Sequence, residues 1–132
     1  MSAPTPPELP RVAVVEDDPD SAQLATASLA SYYDVSAYTS GEAALAAFTE
    51  YTPVAVILDI GMREGMDGMQ VLRTMRGIPA LRDIPALALT AYASASMRER
   101  FLALGFDGYV AKPLHSPEQL LHAVQEMVAR GR

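Results

Sequence analysis

Val54-Ala55-Val56-Ile57-Leu58-Asp59-Ile60-Gly61 is the stretch that decides the fold. Its apolar part is near-continuous and rich in branched side chains, the pattern of a strand covered on both faces. It ends in a carboxylate. In an open parallel sheet the carboxyl ends of the strands face the crevice where ligands bind, so Asp59 is the first candidate functional group. Other short apolar runs also finish in polar chemistry. Val12 to Val15 leads into Glu16-Asp17-Asp18, Ala86 to Leu89 into Thr90, and Tyr109-Val110-Ala111 into Lys112-Pro113. Carboxylates, a hydroxyl and an ammonium at successive strand ends can make a phosphoryl-transfer site.

Bulk properties narrow the class. A chain of 132 residues fits one domain and can bury a moderate core without staples. It has no cysteine, which removes thiol chemistry and cysteine metal sites. Pro4, Pro6, Pro7 and Pro10 fall where a signal peptide would need an apolar core, and no apolar run approaches membrane-spanning length. A cytoplasmic protein is the default expectation. The formal charge of −6 argues against general nucleic-acid binding, because a phosphate backbone would be repelled. Local clustering at Glu16-Asp17-Asp18 can instead invite a divalent cation.

From Arg11 onward, short β-branched runs alternate with longer Ala/Leu stretches, the βα signature of a parallel sheet flanked by helices. Residues 1–10 read as a flexible Pro-rich lead-in and 11–132 as a single domain. Strands are expected near 11–16, 34–38, 54–59, 85–90 and 108–111, and helices near 19–31, 41–50, 67–76, 94–103 and 117–129. Asp18 before Pro19 reads as a helix cap. Thr39 with Glu42, and Ser116 with Gln119, have capping-box spacing. Leu120, Val124 and Met127 form one apolar face of the last helix. Gly105 is placed to end the fourth helix with a positive φ.

Glu16, Asp17 and Asp59 would repel one another at neighbouring strand ends unless a cation or protons compensate. A hard dication accepts such oxygen ligands, and Mg²⁺ does so while keeping several waters. Asp18 is better read as a cap. Thr90 is either an ordinary strand residue or a donor to a phosphoryl oxygen. Lys112, at a strand end before proline, can extend its ammonium over the crevice toward an anion. Tyr92, Tyr109 and Phe106 all suit a core. His115 and His122 have no metal-ligand spacing, and Met62, Met66 and Met69 read as packing. Neither a Rossmann fingerprint nor a P-loop occurs.

Taken in order and spacing, Val14-Val15-Glu16-Asp17-Asp18, Val56-Ile57-Leu58-Asp59, Met66-Asp67-Gly68, Ala88-Leu89-Thr90-Ala91 and Gly105-Phe106-Asp107-Gly108-Tyr109-Val110-Ala111-Lys112-Pro113 resemble a CheY-like receiver domain of two-component signalling, over residues 11 to 129. The resemblance implies a flavodoxin-like α/β fold, a doubly wound five-stranded parallel sheet of order 2-1-3-4-5 with five helices. It implies that Asp59 accepts phosphate, with Lys112 and Thr90 contacting the phosphoryl group. Asp17 would ligate Mg²⁺ directly, Glu16 through water, and the Gly61 carbonyl would add a ligand, with Mn²⁺ a possible substitute. Thr90 and Tyr109 would form the switch, and Lys112–Pro113 would be cis. The implied partners are a histidine kinase or histidine phosphotransfer protein, an output partner, and a second copy through the face of the fourth helix, fifth strand and fifth helix. The domain would promote its own Mg²⁺-dependent phosphorylation and dephosphorylation without being a conventional enzyme.

One departure follows the acceptor. Arg63-Glu64 stands where receivers commonly have a single proline, which lengthens the loop and removes a rigid turn, so a looser loop is expected. Two other functions compete. A degenerate receiver would bind a partner constitutively, with the altered loop as its support. An aspartate-nucleophile phosphohydrolase of the haloacid-dehalogenase type would need Asp-x-Asp, yet Gly61 holds the second position. The wording around Thr90 and Tyr109 resembles receivers attached to hybrid histidine kinases. The chain therefore either works alone or is the receiver portion of something larger.

Overall fold

A computed structural model describes residues 9–63, 65–91 and 94–131. Strands and helices alternate along the chain: β1 (Arg11–Val15), α1 (Pro19–Leu29), β2 (Asp34–Tyr38), α2 (Gly41–Ala47), β3 (Ala55–Asp59), α3 (Gly68–Arg76), β4 (Ala86–Thr90), α4 (Ala95–Ala103), β5 (Gly108–Ala111) and α5 (Pro117–Arg130). All pairings are parallel and the sheet order is β2-β1-β3-β4-β5, the expected doubly wound arrangement. The chain winds outward from β1 to β2, then returns to β3 on the other side of β1. The crevice of such a sheet opens at that reversal, between the carboxyl ends of β1 and β3.

Period-two alternation divides the core into two layers. Val56 and Leu58 face Ala44 of α2, Val71, Leu72 and Met75 of α3, and Phe101 of α4. Ala55 and Ile57 face Ala25 and Leu29 of α1 and Leu120, Val124 and Met127 of α5. Every residue of β3 and of β4 is buried, which is why these strands read as unbroken apolar runs. Full burial of each large aliphatic side chain is worth about 1.5–3 kcal/mol, so the two central strands anchor the strand ends that carry the site.

The helix starts follow local chemistry with two corrections. Asp18 caps α1 as expected, accepting the Ser21 N–H at 3.0 Å. The Thr39–Glu42 box does not form: Ser40 caps α2 by accepting the Ala43 N–H at 3.1 Å, and Glu42 instead accepts the Met66 N–H at 2.6 Å. Ser116 caps α5 without a side-chain bond, while Gln119 accepts the His115 N–H at 3.1 Å. A complete box forms at α3, where Asp67 and Gln70 each accept the other's backbone N–H at 2.9 Å. Helix α2 stops three residues short of expectation because Thr49 and Glu50 bond to carbonyls only three residues back, tightening the last turn. Gly105 has φ +110° just past α4, and the Lys112–Pro113 peptide is cis. Residues 1–8 of the Pro-rich lead-in, Glu64 of the lengthened loop and Tyr92 lie outside the described residues. Among the described residues, no helix is long and apolar enough to cross a membrane.

Candidate phosphoryl-acceptor site

Glu16 leaves β1 while still paired to β2, its N–H on the Tyr38 carbonyl at 2.9 Å, and this continued pairing carries its side chain to the crevice. The carboxylate is 1 % exposed. Its Oε1 accepts the Asp18 N–H at 3.1 Å and its Oε2 meets Lys112 Nζ at 2.5 Å. Asp59 closes β3 at 4 % exposure. Its Oδ1 accepts the Gly61 N–H at 3.0 Å and lies 3.3 Å from Lys112 Nζ. Lys112 reaches both because its own N–H prolongs the β4–β5 ladder, bonding the Thr90 carbonyl at 2.7 Å. Asp17, the most open of the three acids, accepts the Arg63 N–H through Oδ2 at 3.1 Å.

The three acids converge. Glu16, Asp17 and Asp59 each offer an oxygen within 4.8 Å of the others. They line a cleft of about 590 Å³ together with Gly61, Thr90 and Lys112. Thr90 is buried at the end of β4, at its wall. Tyr109 stands apart, half-buried on β5 and stacked on Phe101 at 5.9 Å, with its edge in the groove between α4 and α5. Phe106 is core, and His115 and His122 are exposed.

Charge in this cleft is unbalanced. Glu16, Asp17, Asp18 and Asp59 line it against Lys112 and Arg63, and the remaining two negative charges equal the charge of one divalent cation. Burial pushes the Glu16 carboxyl up to about 7; the Lys112 bond opposes that rise and neighbouring Asp59 adds to it. Burial pulls Lys112 down, but its contacts with Glu16 and Asp59 outweigh this and hold it above its ordinary value. Carboxylate oxygens in an acidic, open-mouthed cleft are a hard donor set, suited to Mg²⁺ or Mn²⁺ and not to soft metals. The residues present fit such an ion.

Three contributions were not legible in advance. An added Cβ at Gly68 would stand 2.5 Å from the Asp59 carbonyl oxygen, so this glycine lets α3 begin against the end of β3. Arg63 and Glu42 enter through long-range bonds with the loop backbone, at sequence separations of 46 and 24 residues. No local spacing signals either.

Residues 12–125 match the response regulator receiver domain family. The chain belongs to that family. This receiver domain is 36 % identical to the phosphate regulon transcriptional regulatory protein PhoB of Rhizobium meliloti over 125 residues, which cover 94 % of the chain and 54 % of PhoB. It is 35 % identical to the transcriptional regulatory protein PrrA of Mycobacterium tuberculosis over 122 residues, covering 92 % and 48 %. The chain thus spans about half the length of these two regulators. A solved response regulator of Chloroflexus aurantiacus matches with a TM-score of 0.84 at 30 % identity, covering 93 % of this chain and all of that one. A chemotaxis response regulator of Vibrio cholerae matches at 0.82 and 27 % identity, covering 90 % and 98 %.

Proposed function

We propose that this receiver domain accepts a phosphoryl group on Asp59 from a phosphohistidine of a histidine kinase or phosphotransfer protein, and that the modification switches binding to an output partner. The observation that carries this reading is the gathering of Asp59, its acidic neighbours and Lys112 in one cleft at the sheet's reversal point. Gly61 and Lys112 engage Oδ1 of Asp59, so we assign attack to Oδ2. Oδ2 bonds to phosphorus, the phosphorus–nitrogen bond breaks, and its electron pair returns to the donor imidazole. Lys112 then pairs with a phosphoryl oxygen, and the Thr90 hydroxyl donates to another. Asp17, Asp59 and the Gly61 carbonyl would hold Mg²⁺, with Glu16 acting through water. When bound, the ion would supply positive charge that offsets the negative charge of the acids and the phosphoryl group. Water later hydrolyses the acyl phosphate and restores the carboxylate.

The output in this reading is a population shift. The phosphoryl group bonds Thr90 in one state only, Tyr109 follows, and the surface formed by α4, β5 and α5 changes for a partner or for a second copy of the chain. Residues 11–132 form the acting unit, and 1–10 a lead-in. Incubation with Mg²⁺ and acetyl phosphate should add one phosphoryl group to the wild type by intact-mass spectrometry and none to Asp59→Asn. An adduct retained in Asp59→Asn overturns the assignment. A wild type that no donor modifies, a cognate kinase included, supports a constitutive binding module instead.

A further inference from the structure

We propose that Glu42 is a positioning residue for this site: its carboxylate clasps the loop between β3 and α3 and thereby sets how firmly Asp17 holds a cation. The inference rests on the reading of the cleft as a cation-dependent phosphoryl acceptor. Two backbone N–H groups of that loop, one on each side of Glu64, are held by carboxylates from elsewhere in the fold. Arg63 N–H donates to Asp17 Oδ2 at 3.1 Å, and Met66 N–H to Glu42 Oε1 at 2.6 Å. The loop expected to lack restraint is therefore tied at both shoulders, to the acidic cluster on one side and to α2 on the other.

The surroundings of Glu42 are shaped for this contact. Gly65 has φ +68°, a conformation that favours glycine, and a Cβ there would lie 2.8 Å from each Glu42 carboxylate oxygen, so the acid lies directly against this turn. Gly41 brings the start of α2 close enough: a Cβ on it would lie 2.4 Å from a methyl of Val71 and 3.0 Å from Met66 Cβ. The cap of α2 is already supplied by Ser40, so Glu42 is not needed there. Hydrogen bonds that orient a ligating carboxylate tune the affinity of its metal. Glu42 holds Met66 beside Gly65, and Asp17 holds Arg63, so the two carboxylates grip the same short segment from two sides. Without the clasp, Asp17 loses its orienting donor.

The test compares Mg²⁺ binding, by calorimetry or NMR titration, in the full chain and in Glu42→Ala, Glu42→Gln and Gly65→Ala. Loss of one charge-assisted bond at an exposed position should weaken Mg²⁺ binding about five-fold in Glu42→Ala. Gly65→Ala should reproduce the loss by displacing the carboxylate. Glu42→Gln should restore most of the affinity, since its amide oxygen can accept the same N–H. Phosphorylation by acetyl phosphate should slow in Glu42→Ala at low Mg²⁺ and recover at saturating Mg²⁺, whereas a merely structural defect would persist. Met66 amide exchange, read without metal, should quicken in Glu42→Ala and not in Glu42→Gln. Wild-type affinity in both Glu42→Ala and Gly65→Ala overturns the positioning role while leaving the phosphoryl-acceptor reading intact. A wild type that neither binds Mg²⁺ nor takes phosphate overturns that reading, and the role of Glu42 with it.

Discussion

Buried charge occurs at both ends of this sheet, and the two ends handle it differently. At the amino ends of β4 and β5, Arg76 Nη1 donates to the Arg82 and Ile84 carbonyls at 2.9 and 2.7 Å. Its Nη2 reaches the Gly105 carbonyl at 3.2 Å and Asp107 Oδ2 at 3.1 Å, and Asp107 Oδ2 also takes the Ala86 N–H at 3.0 Å. Arg76 pairs with Asp107 there, and both of its Nη atoms also reach backbone carbonyls. At the carboxyl ends, Lys112 is shared by Glu16 and Asp59 while Asp17 adds a third negative group. The first cluster is matched in charge by the fold. The second holds two more carboxylates than its lysine offsets, and burial pushes the Glu16 carboxyl among them up to about 7.

The contrast predicts opposite responses to losing a carboxylate. Asp107→Ala strips a partner from a guanidinium that is 18 % exposed and from the Ala86 N–H, so it should cost about 2–3 kcal/mol in urea denaturation. A loss under half a unit on that scale would show that the clasp is ornamental.

A pH series probes the other end. Because the folded Glu16 carboxyl sits near 7 and its ordinary value is 4.5, the native state binds more protons than the unfolded chain between those values. Metal-free stability should therefore fall as pH rises from about 4.5 to 7, by something on the order of 1–3 kcal/mol, and then level off. Mg²⁺ competes with that proton, so its affinity should rise through the same range and the decline should flatten when it is added. Glu16→Gln should abolish the slope. A metal-free slope of the opposite sign would contradict the burial argument.

The smallest stability effect is expected at Asp17. Asp17→Asn keeps an oxygen for the Arg63 N–H and relieves repulsion, so its metal-free midpoint should stay within about 0.5 kcal/mol of wild type. Its Mg²⁺ affinity should nonetheless fall at least ten-fold, by the order of about 1.4 kcal/mol or more. Loss of stability without loss of affinity would move Asp17 from the site to the scaffold.

The same contrast marks what could be read from the sequence. Strands that are covered on both faces announce themselves as apolar runs, so β3 and β4 were legible to within a residue at each end, and their last residues located Asp59 and Thr90. The stripe of Leu120, Val124 and Met127 placed α5 on the sheet by period alone, and all three are fully buried. Capping was less legible, because spacing cannot tell which of two neighbouring hydroxyls takes the cap. Once Ser40 did so, Glu42 was free to bond across the fold. Arg76 and Asp107 carry no local signal either, since their meeting depends on where the end of α3 lies against the start of β5, 31 residues apart. Periodicity fixes the elements; their caps and the bonds between distant segments require the packed chain.

The most direct measurement is a paired denaturation of wild type, Asp59→Asn and Asp107→Asn, each in EDTA and in saturating Mg²⁺. The account predicts that Asp59→Asn in EDTA is at least as stable as wild type, because an amide still accepts the Gly61 N–H while repulsion with Glu16 is removed. Asp107→Asn should be clearly less stable in both conditions, and Mg²⁺ should raise the midpoint of wild type and Asp107→Asn but hardly that of Asp59→Asn. If Asp59→Asn in EDTA loses as much stability as Asp107→Asn, and Mg²⁺ stabilises all three alike, the carboxyl-end charges belong to the scaffold and the account is wrong.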